Sequence, residues 1–164
     1  GLFNIFRIGL YIKFVGKIII LAIQFIAWNI WKKQESSVQP TISNLSYDSQ
    51  KVLLAIFPIA TILMVYIRIK LFSSNLSSFD ILLDALSTTL EYFALYLSVS
   101  RIIQCWYVWI IYDILSSYIF FSNGLICNCI SSVIMMLSAI YGYYNWDEIS
   151  KIENKNNNNY SFSS

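Results

Sequence analysis

The sequence predicts an all-α membrane protein: a polytopic helical bundle of two parallel three-helix repeats joined by a linker helix. Three observations carry this. The 164 residues are 57% hydrophobic and only 12% charged, about half the charge of a soluble domain. The apolar residues come in runs of the length a helix needs to cross a bilayer, ~20 residues. The chain also repeats itself. Shifted by 115 residues, Gly9-Leu10 falls on Gly124-Leu125, Ala27 on Gly142 and Trp31 on Trp146.

Each element follows from the same reading. Residues 1–9 read as the end of a helix, and 11–31 as a first span closed by "WNIWKK". Together, residues 1–31 make the truncated end of the first repeat. The polar stretch 32–50, with Pro40, is an aqueous loop. Residues 51–70 form the linker span, kinked at Pro58. "LFSSNLSS" is a turn. Spans at 80–99, 103–121 and 125–146 make the second repeat, with "SNG" at 122–124 a tight turn. The polar, low-complexity residues 147–164, above all those from Lys151, form a disordered tail. The second repeat begins near Asp80, so the repeat length calls for about 36 residues, one and a half spans, before Gly1. Copies separated by an even number of spans run parallel, a transporter plan with its site between the repeats.

Lys32, Lys33, Lys51, Arg101, Lys151 and Lys155 share one side of this topology; Arg7, Lys13, Arg68 and Lys70 share the other. The bias puts the C-terminus in the cytoplasm.

Several function classes recede. There is no histidine, which removes the commonest general base and zinc ligand. No Gly-rich phosphate loop, G-x-S-x-G or metal-ligand spacing is present, so neither an enzyme nor a cofactor or metal protein is expected. Cys105, Cys127 and Cys129 form no C-x-x-C pair and read as packing residues. A net charge of +2 points to no nucleic-acid partner.

Polar groups inside lipid are costly and mark candidate sites. Trp106, Trp109 and Asp113 lie at i, i+3 and i+7 on the fourth span. Asp84, Thr88 and Glu91 share a face of the third, with Lys17 a candidate partner for Glu91. Trp28 and Trp31 close one repeat and Trp146 the other, with Gln24 a turn above Trp28. Tryptophan near a helix end can be an interfacial anchor, but Asp113, about ten residues from either end of its span, is not explained that way. Indoles stack on flat rings and attract cations, while carboxylates and amides bond hydroxyls. The set suits a flat, cationic heterocycle carrying a sugar.

With these residues in view, the chain resembles the PnuC family of nicotinamide riboside transporters. The likeness covers nearly all of residues 1–150. It rests on "DALSTTLEYFALYLSVSRIIQCWYVWIIYD" from residue 84, on "AWNIW" (27–31) and on "YGYYNW" (141–146). The resemblance implies a SWEET-like plan of two three-helix repeats in the bacterial inner membrane. It implies facilitated diffusion of nicotinamide riboside, drawn inward by intracellular phosphorylation. It implies Trp106 and Trp109 beside the nicotinamide, Asp113 on the ribose, and Gln24, Trp28, Trp31, Thr88, Tyr141 and Trp146 lining the path. The partners so implied are a small-molecule substrate and membrane lipid, with a homo-oligomer open. The chain departs from the family at Lys17, Ala27, Glu91, Leu95 and Gln104-Cys105; the last pair, just before the first indole, is the place to look for a changed substrate. Relatives carrying thiamine or riboflavin keep those substrates open. A decayed fragment or non-transporting scaffold, and less so a membrane-embedded transferase, are the alternatives outside transport.

Overall fold

The computed structural model describes residues 18–32, 42–72 and 77–161. Five helices make up nearly all of them: α1 (Ile18–Lys32), α2 (Tyr47–Phe72), α3 (Ser78–Val99), α4 (Cys105–Ser122) and α5 (Ile126–Ser161). The all-α bundle expected from composition is the fold observed. The Tyr47–Lys70, Cys105–Ser122 and Ile126–Ile152 segments are long and apolar enough to cross a membrane.

α2 through α5 pack in chain order as antiparallel neighbours. The end of α2 meets the start of α3 through Arg68 and Asp84, 2.9 Å apart. The Ser87 and Ser116 hydroxyls meet at 3.5 Å between α3 and α4. The start of α4 meets the middle of α5 through Trp106 and Trp146. α3 is the best covered of the described helices, with Ala85, Thr89, Leu90, Ala94, Leu95 and Leu97 buried. That explains how it carries Asp80, Asp84 and Glu91: a helix between neighbours need not be apolar all round. α2 exposes Leu54, Ile59, Ile62 and Leu63 instead, as a lipid-facing helix does. Thr61, one turn after Pro58, donates its hydroxyl to Phe57 O at 2.9 Å.

The two short connections between α3, α4 and α5 share one geometry. After α3, Arg101 N–H bonds Ser98 O and Ile102 N–H bonds Leu97 O, both at 3.0 Å. After α4, Gly124 N–H bonds Phe121 O at 3.0 Å and Leu125 N–H bonds Phe120 O at 2.9 Å. Each is a Schellman stop, whose penultimate residue takes left-handed backbone angles. At the second, that residue is glycine (φ 71°), as the "SNG" turn predicts; at the first it is Arg101 (φ 55°).

Residues 42–46 are strapped to the first of these turns. Ser43 N–H bonds Arg101 O at 3.1 Å, and Ile103 N–H bonds Ser43 O at 3.2 Å. Gln104 Oε1 accepts from Leu45 N–H at 3.1 Å, and its Nε2 donates to Asn44 at 3.3 Å.

One sequence expectation is corrected. The polar tail is helical through Ser161 rather than disordered. Extending an established helix costs far less than nucleating one, and Lys151 bonds Asp147 one turn back at 2.6 Å. The Gly9-Leu10 pair, Lys17, the Pro40 region and half of the "LFSSNLSS" turn lie outside the described residues.

Candidate substrate site

α4 carries the polar line that the sequence singles out, and its three residues meet different neighbours. Trp106 faces α5. Its ring lies 5.2 Å from that of Trp146, at 85°, and rests on the backbone of Gly142. Its Nε1–H is buried with no hydrogen-bond partner among the described residues. Trp109 faces α3 and donates its Nε1–H to Ser98 Oγ at 2.9 Å. Ser98 in turn donates to Ala94 O at 2.8 Å. Asp113, only 5% exposed, lies two turns deeper with the buried Ser116 nearby on the same helix. No described residue forms a hydrogen bond or ion pair with Asp113.

Trp31 and Trp146, the indoles that the 115-residue shift aligns, come together at the end of the bundle where α4 begins. Trp31 and Trp146 stand edge to face at 6.3 Å. Trp31 also donates its Nε1–H to Val99 O at 3.3 Å, and the Arg101 guanidinium lies over its ring at 5.3 Å. Trp31, Trp146 and Trp106 thus form one aromatic cluster. Trp109, which bonds Ser98 on α3, begins the next turn of α4.

The other candidates lie apart from this cluster. Trp28 is 53% exposed and packs on Phe25 and Lys32 of its own helix. Gln24 is exposed, and Tyr141 is 74% exposed. Thr88 serves the α2–α3 contact: it donates to Asp84 O at 2.8 Å and accepts from Arg68 at 3.3 Å. Gln104 and Cys105, the departures beside the first indole, are used in packing. The Gln104 amide holds the 44–45 strap, and Cys105 is fully buried. Sequence reasoning missed Gly142 as the seat of Trp106, although the G-x-x-x-W spacing in "YGYYNW" puts it on the Trp146 face of α5.

A second concavity lies between α2, α3 and the start of α4. It holds about 360 Å³ and is lined by Leu53, Phe57, Leu90, Phe93, Leu97 and Val108 among others. Its walls are almost wholly apolar, and its two amides, Gln50 and Gln104, are bonded to residues 44–45, so it offers a sugar or a charge little to bond. The described Cys, Asp and Glu residues form no cluster able to hold a metal.

The model of the nicotinamide mononucleotide transporter family matches residues 2–148. The chain belongs to that family. The matched stretch spans most of the helical bundle, including all the indoles and Asp113. No curated protein and no solved structure matches the chain. Family membership and the apolar helices make this a multi-pass membrane protein that transports a small-molecule precursor of NAD.

Proposed function

We propose that the substrate is nicotinamide riboside, and that it crosses by facilitated diffusion past Trp106, Trp109 and Asp113. Asp113 carries the argument. A buried carboxylate without a partner among the described residues is expensive unless something compensates it. The riboside brings both remedies: a pyridinium charge, and ribose hydroxyls that donate to a carboxylate. The indoles offer π faces to the same cationic ring. The mononucleotide adds a phosphate, which Asp113 repels. At an effective dielectric of ~20 and ~8 Å, each pair of like charges costs roughly 2 kcal/mol. Cytoplasmic phosphorylation then traps the product as an anion this site disfavours, which gives uptake its direction.

The test is uptake of labelled riboside by cells that express the protein and depend on external riboside. Competitors are the mononucleotide, thiamine, riboflavin and the reduced, uncharged riboside. The riboside should win by at least tenfold over the mononucleotide. Asp113→Asn should lower riboside uptake about tenfold and narrow the preference over the reduced riboside. Equal uptake of riboside and mononucleotide would refute the substrate assignment. Stronger competition by thiamine or riboflavin would move the protein to that substrate. An unaffected Asp113→Asn variant would remove Asp113 from the site.

A further inference from the structure

We infer that Gly142 is a positioning residue for Trp106: its missing side chain sets where the indole stands in the substrate path. The inference rests on the transport reading and goes beyond it, to a residue outside the predicted site.

A Cβ on Gly142 would lie 2.5 Å from Trp106 Cη2, 2.6 Å from Cζ3 and 2.7 Å from Cζ2. These are three atoms of one rigid ring edge, so they move only together and the overlap is relieved only by displacing the whole ring. The ring must translate by about 1 Å to regain ordinary contact.

Nothing else described holds the ring from its polar end. Trp106 Nε1–H has no acceptor among the described residues, whereas Trp109 and Trp31 are both tied by theirs, to Ser98 and Val99. Two contacts therefore define the Trp106 position: the Gly142 notch under the benzo edge, and the Trp146 ring at 5.2 Å. Both come from one face of α5, where Ala139 and Ser150 are also buried. Gly142 and Trp146 are four residues apart, one helical turn. A single turn of α5 thus supplies both seat and edge.

The expected consequence is a change in substrate affinity. Gly142→Ala pushes the ring off its seat, and the substrate loses its stacking geometry. An aromatic pair contributes ~0.5–1.5 kcal/mol beyond area burial, so KM for the riboside should rise about 2- to 13-fold, with the maximal rate changed less than about twofold. Trp106→Phe removes the atoms that clash. In that background, Gly142→Ala should change KM by less than about twofold, so the two substitutions are strongly non-additive.

The experiment measures riboside uptake for wild type, the two single variants and the double variant, normalised to protein in the membrane. Non-additive KM values support the positioning role. Penalties that simply multiply overturn it, because Gly142 would then act on helix packing independently of Trp106. If Gly142→Ala fails to accumulate, recovery of its abundance by Trp106→Phe supports the same steric seat, and no recovery overturns it. A wild type that accumulates but carries no riboside overturns the transport reading, and this inference with it.

Discussion

Ser98→Ala tests whether α3 holds Trp109 in place. The Ser98 hydroxyl donates to Ala94 O at 2.8 Å and accepts the Trp109 Nε1–H at 2.9 Å. Alanine removes the acceptor and leaves a half-buried indole N–H unsatisfied, which costs ~1–3 kcal/mol. For a chain of this size each kcal/mol moves the melting temperature by roughly 2–4 °C. Ser98→Ala should therefore melt roughly 2–12 °C lower in detergent and show a raised KM for the riboside, because the indole loses its fixed orientation. Ser98→Thr keeps the hydroxyl and should melt close to wild type. In Ser98→Ala/Trp109→Phe no donor is left orphaned, so the double variant should lose less than the sum of the singles, by ~1 kcal/mol or more. Equal melting of the Ala and Thr variants, or full additivity in the double, would refute this account of Trp109.

Three further outcomes follow from particular contacts. Arg68→Ala leaves the half-buried Asp84 without its 2.9 Å partner and takes a donor from Thr88; melting should drop, and Arg68→Asp/Asp84→Arg should recover part of the loss that Arg68→Asp causes alone. Gly124→Ala meets no atom within 4 Å, so its cost is backbone strain at φ 71°, about 1–2 kcal/mol, seen in the melt with KM unchanged. Gln104→Ala frees residues 44–45, and limited proteolysis should cut there faster.

The fold class was legible because lipid imposes long apolar runs and polar turns, and both are visible in one dimension. The "SNG" turn was legible because a Schellman stop favours glycine in its left-handed position. The same stop after α3 was hidden because Arg101 takes that position. The site was partly legible. Spacings of i, i+3 and i+7 put Trp106, Trp109 and Asp113 on one side of α4, but residues three apart still differ by about 60° around a helix. That angle suffices to send Trp106 to α5 and Trp109 to α3. It likewise turns Trp31 into the bundle and leaves Trp28 outside. Periodicity resolves a side of a helix; only the neighbours resolve which helix each residue meets. Trp31 and Trp146, which the 115-residue shift aligns, also meet edge to face, a contact that periodicity alone does not give.

Arg101 offers the sharpest way to separate backbone strain from side-chain contact at the aromatic end of the bundle. It stands at φ 55°, the one non-glycine residue with positive φ among those described, and left-handed angles cost an ordinary residue roughly 1–2 kcal/mol. Its guanidinium lies 5.3 Å from the centre of the Trp31 ring, a cation–π contact contributing about 0.5–2 kcal/mol. The two effects are of similar size and opposite sign. Arg101→Gly removes both, so its melting temperature should stay near that of wild type. Arg101→Ala keeps most of the strain and loses the contact, so it should melt below the glycine variant by about 1 kcal/mol. Both variants take the cation off the Trp31 ring while its Val99 and Trp146 contacts remain, and both should alter riboside KM equally if that ring face lines the path. An alanine variant as stable as the glycine variant would show that the backbone at residue 101 carries no strain. Unchanged KM in both would place that face of Trp31 outside the path.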